Sequence, residues 1–180
     1  FGMPLRLKEP QRVFTCSFSD FFHPAADPWR PAAWEIIRET QHLTYQILTK
    51  RVADMRTRLP IDWPYANVWL GVSIENQRFA FRADLLRDTP ATVRFLSLEP
   101  LLGPVDLTLD GIHWVIVGGE SGPKRRHMEA RWVRAVRDRC AECGVPFFFK
   151  QWGGPSSNKR GGDKATLDGE RHRAFPEIAA

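Results

Sequence analysis

Apolar and polar positions fall along this chain in blocks. Trp114-Val115-Ile116-Val117 passes directly into Gly118-Gly119-Glu120-Ser121-Gly122. The run has no polar alternation, so it reads as a strand buried on both faces, as in a parallel sheet. The same switch from apolar run to polar tip recurs. Val13–Ser17 ends at Ser17, Ser19 and Asp20, and Leu43–Leu48 ends at Thr49, Lys50 and Arg51. Asn67–Ile74 ends at Glu75 and Asn76, Val93–Leu98 at Glu99-Pro100, and Pro146–Phe149 at Lys150, Gln151 and Trp152.

Between the runs the apolar period changes to that of a helix. Asp27-Pro28 reads as an N-cap with Pro at the first helical position, followed by Trp34, Ile36 and Ile37 up to Thr40. Val52, Met55 and Leu59 continue at helical spacing until Pro60, and Phe79, Ala83 and Leu86 do so until Thr89-Pro90. Glu129–Cys143 carries Trp132, Val133, Val136 and Cys140 on one face, with Gly144 placed as a C-cap. The stretch through Leu101, Gly103, Pro104 and Asp106 has no helical pattern.

Six strands, most of them separated by helices, predict βα units with right-handed crossovers and a parallel sheet. Two closures compete: a TIM-barrel-like (β/α) barrel, whole or partial, and an open doubly wound sheet. Nearly every strand ends in polar groups, which suits one shared rim. An open sheet concentrates its site at a single switch point, so the barrel is favoured. Residues 1–153 form this domain. Residues 154–180 turn to Gly, Ser, Lys and Asp and read as a loop or tail, from which Leu167, Phe175 and Ile178 dock back.

Composition adds limits. At 180 residues, with 43% hydrophobic and 26% charged residues, one domain with a real core is expected. The net charge of +5 suits an anionic partner, a nucleotide or nucleic acid, without naming it. No run of 18 apolar residues indicates a membrane span and no signal-peptide pattern is present. Three cysteines, an odd number, argue against a disulfide framework and for a reducing, cytoplasmic setting. The chain opens with Phe1-Gly2-Met3-Pro4 and not with a lone initiator Met, which reads as a truncation.

The chemistry-bearing candidates are the strand tips. Glu75, Glu99 and Glu120 are the acid–base candidates. Ser17, Asp20, Lys50, Arg51, Ser97, Lys150 and Gln151, with Ser73 beside them, are the substrate-binding candidates. In a βα barrel all of them converge on one face; the structural alternative is a ring of ion pairs that satisfies the rim. Gly118–Gly122 suits either an anion-binding turn or a tight strand exit, and Lys124-Arg125-Arg126-His127 beside it suits phosphate or a solvated loop. It is neither a Walker loop nor a dinucleotide fingerprint. Cys140-Ala141-Glu142-Cys143 ends a helix and lacks a second ligand pair, so neither zinc nor thioredoxin-type chemistry is assigned to it. No metal site is expected in this chain. Of the five histidines only His23 follows a strand end.

Several of these stretches together resemble a known family. Val13–His23, Gln46–Arg51, Val68–Glu75, Arg94–Pro104, Trp114–Pro123 and Val145–Gly153, with an echo at Leu167-Asp168-Gly169, resemble the phage-associated three-cysteine-motif proteins of phages and bacteria. The resemblance implies a radical-SAM-like (β/α) barrel, here a partial barrel of six parallel strands. It further implies a [4Fe–4S] cluster on an N-terminal cysteine trio, with SAM and substrate at the rim. Cys16, Cys140 and Cys143 do not match the trio. This chain is expected to begin after it, with its six strands the last six of eight, and to hold no cofactor alone. Gly118-Gly119-Glu120 resembles a SAM-binding element of that superfamily but sits too late in the chain to take its role. The resulting expectation is an enzyme whose rim binds SAM and an anionic substrate. A non-catalytic nucleic-acid-binding module and a metal-free barrel hydrolase are the alternatives.

Overall fold

The computed structural model describes residues 2–154 and 165–177. Six strands form one sheet in the order β1 (Gln11–Phe14), β2 (Leu43–Thr49), β3 (Val68–Ser73), β4 (Val93–Leu98), β5 (Trp114–Gly118) and β6 (Phe147–Gln151). All five pairings are parallel. The spatial order is the chain order, so no switch point exists and the doubly wound alternative is excluded. The sheet curls into a half-barrel.

Helices α1 (Arg30–Glu39), α2 (Val52–Met55), α3 (Phe81–Arg87) and α4 (Ala130–Glu142) follow β1, β2, β3 and β5. The β4–β5 connection holds no helix, as its sequence predicts. Gly144 takes φ +66° just beyond α4, the left-handed conformation that lets a helix end without a Cβ clash.

Three boundaries differ from the sequence reading. β1 lies earlier than Val13–Ser17, because residues 15–17 leave the sheet and Cys16 turns the chain at φ +56°. α1 starts at Arg30, with Trp29 at its N-cap and a Pro (Pro31) within its first two positions, not at Asp27-Pro28. Asp27 instead accepts from Arg30 and Arg58, and a short 3-10 turn, Pro24–Ala26, precedes it, capped by His23. The helical spacing over Val52–Leu59 gives a single α turn followed by a 3-10 turn at Arg56–Arg58.

Strand burial on both faces produces two cores. Leu43, Tyr45, Ile47, Leu70, Val72, Leu96, Val115 and Val117 pack under the helices and loops. Trp69, Val93, Phe95 and Trp114 fill the concave side, joined by Leu48, Ile116, Phe148 and Phe175. Gly71 makes room there: a Cβ at this position would overlap the Phe95 ring.

Part of the tail, residues 165–177, packs on the sheet. Leu167 is buried and Phe175 joins the concave cluster; Ile178 lies outside the described residues. Residues 172–174 cover the outer edge of β6, with Phe149 N–H donating to the His172 carbonyl at 2.9 Å. The Arg12 guanidinium of β1 sits 3.9 Å from the Phe175 ring centroid, so the tail reaches across the concave face between the two edge strands. No helix among the described residues is long and apolar enough to cross a membrane.

Candidate functional site

Parallel strands in chain order deliver every strand exit to the same end of the half-barrel. The three glutamates stand there at consecutive exits, each with its own cation. Glu75, a buried residue, pairs with Lys50 from the β2 exit and with Arg82 of α3 at 3.1 Å. Arg82 also donates to the Ser73 carbonyl at 2.7 Å, which fixes the buried guanidinium on the tip of β3. Glu99 accepts from Lys150 at 2.9 Å and from the Ser97 hydroxyl at 3.1 Å. Its carboxylate leans over β5, where a Cβ on Gly118 would meet Glu99 Oε2 at 2.7 Å. Glu120 takes a bidentate grip from Arg126, at 2.8 and 2.9 Å, plus the Arg126 backbone N–H at 2.8 Å.

These contacts lower the pKa of Glu75 and Glu120. Burial raises the pKa of Glu75, but the Lys50 hydrogen bond and the charges of Lys50 and Arg82 outweigh it, leaving a net lowering. The Arg126 side-chain and backbone hydrogen bonds bring Glu120 down to about 2. At neutral pH neither is a proton donor; both are hydrogen-bond acceptors and anchors for a cation.

The remaining candidates divide. Asp20 is a latch: its oxygens accept from the Thr49 hydroxyl at 2.7 and 2.9 Å, and from the Phe22 and Lys50 N–H groups at 3.0 and 2.9 Å. It braces the β1 and β2 exits against each other. Gln151 braces β5, donating to the Gly119 carbonyl and to Ser121. Arg51 turns to Asp54 on the helix that follows it. Ser17 lies on an exposed turn, and Ser97 is 1% exposed, so its bond to Glu99 positions the carboxylate and does not present a nucleophile. The tertiary structure adds three working members to the rim: Arg82 from α3, Arg126 from the basic loop after β5, and Thr49 from the tip of β2. Arg82 had a legible signal: it falls at i+3 from Phe79 and i−4 from Leu86, a charge on the apolar face of the helix.

Gly118–Gly122 is a packing joint and not an anion cradle. A Cβ on Gly119 would collide with the Trp152 carbonyl, and one on Gly153 with the Glu120 carbonyl. The N–H groups of Gly119 and Gly122 donate to Gln151 and Gly154 carbonyls at 2.8 Å, so they are already used. One ring nitrogen of His23 is also used, its Nδ1 accepting the Ala25 N–H. Cys140 is buried, and burial pushes its thiol up to about 12, while Cys143 is exposed at the end of α4. No three His, Cys, Asp or Glu side chains converge as a metal site among the described residues.

A family model described as "Protein of unknown function (DUF5131)" matches residues 1–176, nearly the whole chain. The chain belongs to this family. Comparison with curated proteins returns no match, and comparison with solved structures returns none. What this DUF5131 member does must therefore be read from the mouth of the half-barrel.

Proposed function

We propose that this half-barrel is the ligand-binding part of a radical-SAM-like enzyme, related to the phage-associated three-cysteine-motif proteins, whose mouth takes SAM and an anionic substrate of nucleotide type. One observation carries the reading. Lys50 and Lys150 have side chains 53% and 55% exposed, yet each bridges a carboxylate whose side chain is only 11% or 19% exposed. A half-exposed ion pair is worth little by itself, so a lysine can leave its glutamate for a ligand carboxylate or phosphate at small cost. Glu75 and Glu99, still held from behind by Arg82 and Ser97, then accept an ammonium group. A ligand carrying both charges, as the amino-acid end of SAM does, exchanges with both pairs at once.

Bound SAM would supply a reactive sulfonium carbon. An iron–sulfur cluster finds no fitting ligands here: Cys16 is exposed beyond β1, Cys140 is buried within α4 and Cys143 ends that helix.

The test is calorimetric titration of this chain with SAM. The wild type should bind saturably, and Lys50→Ala or Lys150→Ala should each weaken binding roughly tenfold or more, as expected for loss of a charge-assisted hydrogen bond. SAM binding that ignores both lysines would overturn the assignment of the mouth. For the longer parent protein, anaerobic iron–sulfur reconstitution without visible cluster absorbance would remove the radical-SAM part.

A further inference from the structure

We propose that the anionic substrate is a single-stranded nucleic acid, with a base stacked at the β1 exit and the backbone running across the mouth toward the β5 exit. This rests on the mouth being the ligand site and assigns its substrate class.

The stacking end is built by the turn after β1. Cys16 at φ +56° and the Ser19 N–H to Cys16 carbonyl bond at 3.1 Å reverse the chain there, leaving Phe18 fully in solvent at 106% exposure. Trp29, at the start of α1, is 66% exposed. It walls a cavity of about 370 Å³ together with Cys16, Ser19, His23, Ala25 and Ala33. Neither aromatic ring belongs to a core cluster. Single exposed apolar residues are ordinary, but Trp29 lines this apolar cavity and Phe18 stands exposed in the turn between Cys16 and Ser19, both of which line it, an exposed aromatic surface of the kind that marks a binding site. Flat apolar walls suit the face of a base, and stacking of this kind tolerates any sequence.

Charge chooses the occupant. Asp20, the carboxylate in this wall, has both oxygens engaged by the Thr49 hydroxyl and the Phe22 and Lys50 backbone N–H groups. Across the β1–β2 brace it meets the Lys50 backbone N–H, and Arg51 follows Lys50 in sequence. Beyond β5, Lys124 and Arg125 are exposed and make no ion pair among the described residues, while Arg126 beside them is locked to Glu120. Along the curled rim the β1 and β5 exits are four strand spacings apart, roughly 19 Å at about 4.8 Å each, a few nucleotides of extended strand. An apolar peptide could fill the cavity but would gain nothing from the lysines and arginines. A duplex keeps its base faces covered and could not reach the rings.

Fluorescence anisotropy with a labelled single strand of about 12 nucleotides, DNA and RNA in parallel, tests this, with a duplex of equal length and heparin as controls. Single-strand affinity should exceed duplex affinity and fall steeply from about 50 to 200 mM salt. Phe18→Ala with Trp29→Ala should weaken the single strand roughly 5- to 150-fold per stacked base and leave heparin binding unchanged. Lys124→Ala with Arg125→Ala should lower the slope of log K against log salt by about 1.4. Duplex binding as tight as single-strand binding, an aromatic double variant of unchanged affinity, or capture of apolar peptide in place of the oligonucleotide each overturns the proposal. Lys50-dependent SAM binding that persists alongside such a failure would leave the mouth a cofactor site and remove only the nucleic acid.

Discussion

The two cations on Glu75 should separate structural from functional roles when each is removed. Arg82 is 9% exposed and makes three contacts: the Ser73 carbonyl at 2.7 Å, Glu75 at 3.1 Å and the Phe79 ring at 4.3 Å. Truncating one partner of a buried pair costs about 3–5 kcal/mol, because the other charge stays buried without it. Lys50 still faces Glu75 in Arg82→Ala, so the lower end applies, about 3 kcal/mol. For a chain of this size that is a fall in Tm of about 6–12 °C, at roughly 2–4 °C per kcal/mol. Lys50→Ala leaves Glu75 paired with Arg82 and removes a contact from a side chain that is 53% exposed. It should cost less than about 1 kcal/mol, under about 4 °C. Thermal unfolding followed by circular dichroism measures both, and urea midpoints at unchanged m confirm that stability alone has moved. Lys50→Ala should weaken SAM binding roughly tenfold or more while keeping the fold. Equal destabilisation by the two variants would refute the reasoning, for Lys50 would then be a structural member of the rim.

Gly71→Ala should overpack the concave core against Phe95 and cost about 1–3 kcal/mol, partly restored by Phe95→Leu in a double-mutant cycle; additive losses would mean the two do not meet. Native-state alkylation should label Cys16 and Cys143 but leave Cys140 unmodified until the protein unfolds, so mass spectrometry finding Cys140 labelled early would contradict its burial. Glu120 has a folded pKa of about 2 against an ordinary value of 4.5, so its contribution to stability is complete above pH 4.5 and is lost as pH falls toward 2. Glu120→Gln should flatten stability against pH across that window, and an unchanged acid profile would remove the Arg126 pairing as the cause.

The strands β2 to β6 are legible in the sequence because each is a short, mostly apolar run bounded by turn residues, with the central β3 buried at every position, a pattern that suits little else in a βα chain. β1 is harder to place. Thr15, Cys16 and Ser17 suit a strand by propensity, but at an edge there is no burial to hold them in the sheet, and the chain turns at Cys16 instead. The anion-binding role open to Gly118–Gly122 fails for a related reason. A side chain or loop able to bind a ligand is equally able to satisfy a neighbouring backbone, and only the neighbour decides.

By itself the sequence determined the six apolar runs, their parallel βα connection and the polar residue at each exit, since these follow from local period and from the direction a parallel strand must take. Only the tertiary structure decided how the sheet closes, because barrel and open sheet use the same βα units and differ in which strands become neighbours. It also decided the partners. Arg82 and Arg126 meet Glu75 and Glu120 from a helix face and a loop at 7 and 6 residues' remove, whereas Lys50 and Lys150 cross from other strands at 25 and 51. Electrostatic pairing at a rim depends on distance in space, and along the chain that distance is set by the whole fold.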